Sequence, residues 1–363
     1  MTVVEENRGT RVIKLGNVPI GGPYPVVVQS MTNTPTEDSA KTLRQIKKLY
    51  KHGCEVVRVG VPDMEAARAL ERIVSSSPVP VVADIHFDHN LALASLDAGV
   101  AGLRLNPGNI RSRKAVDEVI KASAKREVPI RVGVNAGSLA RDIRKRHEYA
   151  IADALVESAM EHIGLLEDAG FSLIKVSLKA TDVMTTVEAY RQMRKERDYP
   201  LHLGITEAGT SWSGLVKSSV GLGILLAEGI GDTIRVSLAA DPVEEVRAAY
   251  AILRSLGIRD RGVQIVACPT CARARLDVLK TSGAVEKKLA KIAAPLTVAV
   301  MGCSVNGPGE ARHADVGCVG TSKGNQVYLK GERKGYVSSD RLVNWLYEAA
   351  CEIAREEHGE EIG

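Results

Sequence analysis

Cys268, Cys271 and Cys303 are the residues of this chain best suited to redox or metal chemistry. Cys268-Pro269-Thr270-Cys271 ends an apolar run and opens a helical pattern, ARARLDVLK. A lone C-x-x-C is ambiguous: it serves as a dithiol redox pair, half a zinc site or part of an iron–sulfur site. A helix start beside it would favour the thiolate in all three. The third cysteine sits in VMGCSVNGPGEARHADVG, where an apolar run meets Cys303, a tight Asn306-Gly307-Pro308-Gly309 turn and then Glu310. Glycines there let backbone amides approach sulfur closely, and the turn would bring Glu310 back beside Cys303. Three thiolates and a carboxylate suit a four-coordinate zinc, or a cubane cluster whose fourth iron stays open to substrate. Cys54, Cys318 and Cys351 fall within apolar patterns and read as small buried hydrophobes.

A second constellation marks the ends of apolar, β-branched runs earlier in the chain. It comprises Gln29 and Ser30, Arg58, Asp84 and His86, Arg104 and Asn106, Arg131 and Asn135, Ser177 and Lys179, Glu207, and Arg235 and Ser237. If those ends meet, five cations face only Asp84 and Glu207, a surplus of about three charges. Buried unpaired cations are costly, so a bound polyanion is the economical explanation. Guanidinium forks match phosphate oxygens, and a diphosphate carries charge enough for several of them. Asp84 and His86 leave one strand two apart, so their side chains point the same way. Glu207 reads as a general acid or base, or as a counter-ion that orients the arginines. His202, before it, reads as packing.

These residues need a frame that gathers strand ends. The strand-like runs span 25–31, 55–61, 79–87, 102–107, 129–135, 173–180, 201–208 and 233–240, with helical patterns between them. TEDSAKTLRQIKKLYKHG is one, with Ala40, Leu43, Ile46 and Leu49 on one face; DPVEEVRAAYAILRSLG is another, with an Asp cap, an N1 proline and a closing glycine. Eight strand–helix units predict an α/β fold, a closed (β/α)8 TIM barrel over residues 1–260, whose mouth is built by the loops that follow the strands. An open doubly wound sheet is the competitor, but the first turn lacks its glycine fingerprint. RVIKLGNVPIGG predicts a hairpin turning near Gly16-Asn17, a plug under the barrel. After residue 260 the rhythm changes to five strand-like runs and few helices, predicting a smaller α+β domain over 261–363.

Composition narrows the field. The chain has 363 residues, 45% hydrophobic and 25% charged, with a net charge of only +4. That excludes disorder and coiled coil, and a general nucleic-acid binder. No run of about twenty apolar residues exists, and the start lacks the order of a signal peptide, so a soluble, cytoplasmic protein without membrane contact is expected. Six cysteines in such a chain read as free thiols or metal ligands rather than disulfides.

With these motifs in place, the chain resembles the bacterial, two-domain 4-hydroxy-3-methylbut-2-enyl diphosphate synthase family of the methylerythritol phosphate pathway of isoprene biosynthesis. The resemblance rests on CPTC (268–271), MGCSVNGPGE (301–310), QSMTNT (29–34), ADIHF (83–87), LRLNPGN (103–109), RVGVNAGSL (131–139), VSLKA (176–180) and GITEAG (204–209). It implies an oxidoreductase that converts 2-C-methyl-D-erythritol 2,4-cyclodiphosphate to the linear allylic diphosphate by two-electron reductive dehydration. It further implies a 4Fe-4S cluster in a second domain of the sulfite/nitrite reductase type, bound by Cys268, Cys271 and Cys303, with Glu310 on the fourth iron until substrate oxygen displaces it. The cyclic diphosphate would be held by Arg58, Arg104, Arg131, Lys179 and Arg235, assisted by Asp84, His86, Asn135 and Ser237, with Glu207 as the acid/base residue. Ferredoxin or flavodoxin would supply electrons, and each cluster domain of a homodimer would close over its partner's barrel. Two other readings compete: a zinc-stabilised phosphometabolite-binding protein, and a C-x-x-C thiol oxidoreductase in which Cys303 is dispensable.

Overall fold

The structure, a computed structural model, describes residues 9–106, 108, 110 and 112–360. Pro107, at the end of the fourth predicted strand, and Asn109 of the LRLNPGN motif lie outside the described residues. The chain divides into two compact units, Met1–Arg259 and Asp260–Gly363.

The first unit opens with the predicted hairpin, β1 (Ile13–Leu15) against β2 (Val18–Ile20), turning at Gly16 with φ +58°. Ile13, Leu15 and Ile20 are buried against Val27, Val56 and Val82, which start three strands of the main sheet. The hairpin is therefore the barrel's floor. The main sheet comprises β3 (Val27–Met31), β4 (Val56–Gly60), β5 (Val81–Asp84), β6 (Gly102–Arg104), β7 (Ile130–Asn135), β8 (Ile174–Lys179), β9 (His202–Leu203) and β10 (Thr233–Ile234). All are parallel, in the order β8-β7-β6-β5-β4-β3-β10-β9. A bridge from Val176 on β8 to Leu201, just before β9, closes the ring.

The helices between them form as their patterns predict. Helix α1 (Ser39–Lys51) is capped by Asp38, which accepts from Lys41 N, and buries Leu43, Ile46 and Leu49. Further helices α2 (Met64–Ser76), α3 (His89–Asp97), α4 (Arg113–Lys125), α5 (Arg141–Arg146), α6 (Ile151–Glu167), α7 (Val183–Glu196), α8 (Ser211–Ala227) and α9 (Pro242–Ser255) surround the sheet. Alternation along each strand divides the faces. Ile174, Val176 and Leu178 join the hydrophobic cluster that includes helix residues, so Lys175, Ser177 and Lys179 point inward.

Several strands are shorter than the sequence predicts. β5 ends at Asp84, β6 at Arg104, and β9 and β10 form only two ladder residues each. Beyond them, single bonds such as Arg235 N to Leu203 O (3.0 Å) replace the ladder. The inner wall is crowded there: a Cβ on Gly204 would lie 2.6 Å from Lys179 Nζ and 2.7 Å from Arg235 O. Only glycine lets the backbone pass so near the lysine.

The second unit holds one sheet in the order β11 (Val263–Ala267), β12 (Leu296–Met301), β13 (Val316–Thr321), β14 (Gly324–Leu329) and β15 (Glu332–Val337). The first three run parallel and the last two form antiparallel pairs. Helices α10 (Val278–Leu289), α11 (Gly307–His313) and α12 (Ser339–His358) complete it, with Cys318 and Cys351 in its core. Among the described residues, no helix is long and apolar enough to cross a membrane.

Candidate active site

The inner wall of the barrel is cationic. Arg58 on β4, Arg104 on β6, Arg131 on β7 and Lys179 on β8 all point inward, with Arg235 just past β10. Arg104, Arg131 and Lys179 are buried. Asp84 is the shared counter-ion of Arg58 and Arg104: its Oδ2 lies 3.5 Å from Arg58 Nε and its Oδ1 3.3 Å from Arg104 Nη1. Burial pushes the Asp84 carboxyl up, but Arg58, Arg104 and Arg131 together hold it below the usual carboxylate range. His86 is not on the strand, as the sequence predicted, but exposed beyond its end. Its ring nevertheless turns back, with Nδ1 3.1 Å from Arg104 Nη1. Arg104 also donates to Gly133 O at 3.1 Å, and Arg58 Nη2 to Met31 Sδ at 3.0 Å.

Arg235 has a partner that strand-end reading missed. Glu245, from α9, is 3% exposed and takes Arg235 Nη2 on Oε1 at 3.2 Å. It also accepts from Ser30 Oγ (3.1 Å) and Leu238 N (3.1 Å). Glu207 is placed differently from expectation. It lies outside β9, in a turn, exposed, with φ +50°. That left-handed backbone is rare for glutamate and typical of strained functional turns. Leaving aside Lys175 lower in the barrel, the five predicted cations face Asp84 and Glu245, an excess of three with Glu245 rather than Glu207 as the second acid.

The excess leaves its mark on the cations themselves. Burial lowers Arg58 to about 10 despite Asp84. Burial, and then the charges of Arg58 and Arg104, disfavour the protonated Arg131 more strongly. Lys179 is lowered likewise, by burial and then by Arg131 and Arg58. Among the described residues neither has a salt-bridge partner, and Arg131 Nε and Nη1 are buried without hydrogen bonds. Asn135 ends β7 half-buried and Ser237 is half-buried past β10. Ser177 is buried inside, and Asn106 Oδ1 accepts from Gly133 N. His202 is buried, with Nδ1 2.7 Å from Thr233 Oγ1, a packing role as expected.

In the second unit the strand register gathers the cysteines. Ala267 pairs with Val300, so the segments that carry Cys268 and Cys303 leave one edge of the sheet side by side. Gly302 N donates to Cys268 Sγ at 3.2 Å. Arg275 N donates to Gly302 O at 2.7 Å, drawing the loop after Cys271 across to the same place. A Cβ on Gly302 would lie 3.4 Å from that sulfur and 3.0 Å from Val278 Cγ2, so its lack of a side chain lets the amide approach. Two expectations change. Helix α10 starts only at Val278, under an Asp277 cap, so neither Cys268 nor Cys271 stands at a helix start. Asn306–Gly309 is not a tight turn but the start of α11, which leaves Glu310 exposed in its first turn. Cys271 is exposed and Cys268 and Cys303 half-buried, all as free thiols. An N–H···S bond beside three free thiols is the donor set an iron–sulfur cluster uses. Among the described residues, no three His, Cys, Asp or Glu side chains converge on one metal ion. Mononuclear zinc needs four donors about 2.0–2.3 Å from one point. Cys54 and Cys318 are buried, their thiols pushed up to about 12 by burial.

Residues 10–250 match the family model for the GcpE TIM-barrel domain, and residues 264–352 that for the GcpE protein C-terminal domain. Curated relatives named 4-hydroxy-3-methylbut-2-en-1-yl diphosphate synthase (flavodoxin) are similar over nearly the whole chain. That of Geobacter sulfurreducens is 53% identical, covering 96% of this chain and 99% of its own. That of Magnetococcus marinus is 51% identical over 98% and 96%. A dihydropteroate synthase from Stenotrophomonas maltophilia superposes with a TM-score of 0.51 at 15% identity, over 67% of this chain and 98% of that one, a likeness of fold alone.

Proposed function

Because the chain belongs to the GcpE family, we propose that it carries out the two-electron reductive dehydration of 2-C-methyl-D-erythritol 2,4-cyclodiphosphate to 4-hydroxy-3-methylbut-2-enyl diphosphate, with flavodoxin, named for its relatives, as electron donor. What supports a diphosphate is the excess of three inward cations in the barrel mouth, with Arg131 and Lys179 unpartnered among the described residues. Arg58, Arg104, Arg131, Lys179 and Arg235 bind its oxygens, and Asp84 keeps Arg58 and Arg104 aimed. As the ring C–O bond breaks, charge grows on the departing phosphate oxygen, and this fixed cationic wall stabilises it without rearranging. The arriving anion offsets the pressure on Lys179 and favours its protonated form. His86, Asn135 and Ser237 complete the hydrogen bonds at the rim.

Cys268, Cys271 and Cys303 would hold a 4Fe-4S cluster, with Glu310 as its oxygen donor. When bound, that cluster supplies the two electrons in single steps. Glu207 handles the proton at the substrate, from a strained turn whose left-handed backbone sets the direction of the side chain. The active assembly is a homodimer in which cluster unit and partner barrel share the substrate. The test is anaerobic purification, iron and sulfide analysis, and product formation with reduced flavodoxin. Four irons, matching sulfide and turnover are expected; protein without inorganic sulfide, or with iron but no product, overturns the reading.

A further inference from the structure

Below the mouth, three buried polar side chains face one small cavity. Lys175 on β8 and Arg131 on β7 are register partners, both inward, 3% and 4% exposed. Gln29 on β3 is 3% exposed. Lys175 Nζ, Arg131 Nε and Nη1, and Gln29 Oε1 all lack hydrogen-bond partners. The three side chains line one cavity, otherwise walled by Leu15, Val82, Gly102, Leu103 and Pro129. It has room for one small species and not for a phosphate. Asp232, the acid that acts on Lys175, already accepts from Thr10 Oγ1 at 2.9 Å and Leu201 N at 2.8 Å.

Two neighbouring cations in an apolar enclosure need more than a dipole. A guanidinium keeps its proton under this pressure, so at least one full charge persists on the floor. With both cations charged against Asp232, one net charge remains, which a water would hydrogen-bond but not balance. An anion accepts from both and neutralises one of them. The Gln29 amide, turned over, contributes an N–H to the same point. We propose that this cavity binds a single monovalent anion of chloride size, held by Lys175, Arg131 and the Gln29 amide. The site uses no cluster residue and stands apart from the reaction proposed above; its effect is to brace the lower edge of Arg131 beneath the substrate cations.

The test uses the full chain without substrate. At constant ionic strength, replacing gluconate, which is too large for the cavity, by chloride or bromide should raise the unfolding temperature saturably by about 2–4 °C. Lys175→Met should lose that response. Crystals grown in bromide should show an anomalous peak between Lys175 and Arg131. Unfolding that ignores halide in the wild-type chain overturns the site, as does an unchanged response in Lys175→Met. Should that variant not fold, bromide crystals of the wild type decide: a water without anomalous signal there overturns the proposal.

Discussion

Inside the barrel, Arg131 and Lys179 occupy places that disfavour their own charge, because burial and neighbouring guanidiniums act together. Such groups exchange stability for binding. Lys179→Met is therefore expected to leave the ligand-free protein as stable as wild type or more so. It should weaken the cyclodiphosphate by about 1–3 kcal/mol, the range for charge-assisted hydrogen bonds. Calorimetric titration beside urea unfolding checks both halves, and unchanged affinity removes Lys179 from the cradle. Glu207 makes a similar exchange in its backbone. Glu207→Gly should stabilise the fold by about 1 kcal/mol, since a left-handed residue with a Cβ costs that much, while turnover drops sharply. Normal turnover in this variant and in Glu207→Gln would strip the residue of its proton role. Reading polar residues toward strand ends singled out Asp84, Arg104, Lys179 and Arg235 where they stand, whereas Arg58 lies mid-strand in β4 and Arg131 is second in β7, so these two reach the site by the length of their side chains. Lys175 and Glu245 escaped that reading, because one lies at the start of its strand and the other on a helix whose inward reach no periodicity reveals.

Among the elements, the β1–β2 hairpin and the two cysteine-bearing strand ends do most to shape the sites. Leu15 is 2% exposed in the floor and also borders the buried cationic cavity. Leu15→Ala should cost about 3–5 kcal/mol, the usual penalty for emptying a core leucine site, read by denaturant unfolding. A loss under 1 kcal/mol would mean the hairpin does not seal the barrel. In the second unit, Gly302 holds the Cys268 sulfur through its amide. Gly302→Val places a branched side chain where Val278 and that sulfur already crowd, so cluster loading should fall even though all three cysteines remain. Iron-to-protein ratio and visible absorbance measure this, with Cys303→Ser as the reference for complete loss; full loading in Gly302→Val would show the close approach to be dispensable. Helix and strand identities followed from pattern, but their ends did not. The predicted strands reach Phe87, Ala208 and Ala240, whereas the ladders stop at Asp84, Leu203 and Ile234, because pairing depends on neighbours far away in the chain.

For the whole molecule, buried bases make stability a function of pH. Burial lowers His202, Lys175 and Lys179, so the unfolded chain binds more protons than the folded one wherever these free groups are charged. Stability should therefore rise with pH through 6.5, the free-histidine value, and continue toward the free-lysine value of 10.5. Cys54 and Cys318 oppose this only where unfolded thiols ionise, above 9.0. Urea titrations of the ligand-free chain in halide-free buffer should show unfolding free energy climbing between about pH 6 and 9, less steeply in Lys179→Met. A flat or falling curve would mean the lysines are not buried as bases. By itself the sequence settled the repeat of eight strand–helix units, the inward rank of cations and the family, since each is written in local period, residue type and spacing. Only the folded chain decided that Glu245 neutralises Arg235, that Glu207 leaves its strand for a left-handed turn, and that Lys175 meets Arg131 over a small cavity. Burial and pairing are properties of positions distant in sequence, and they exist only once the barrel has closed.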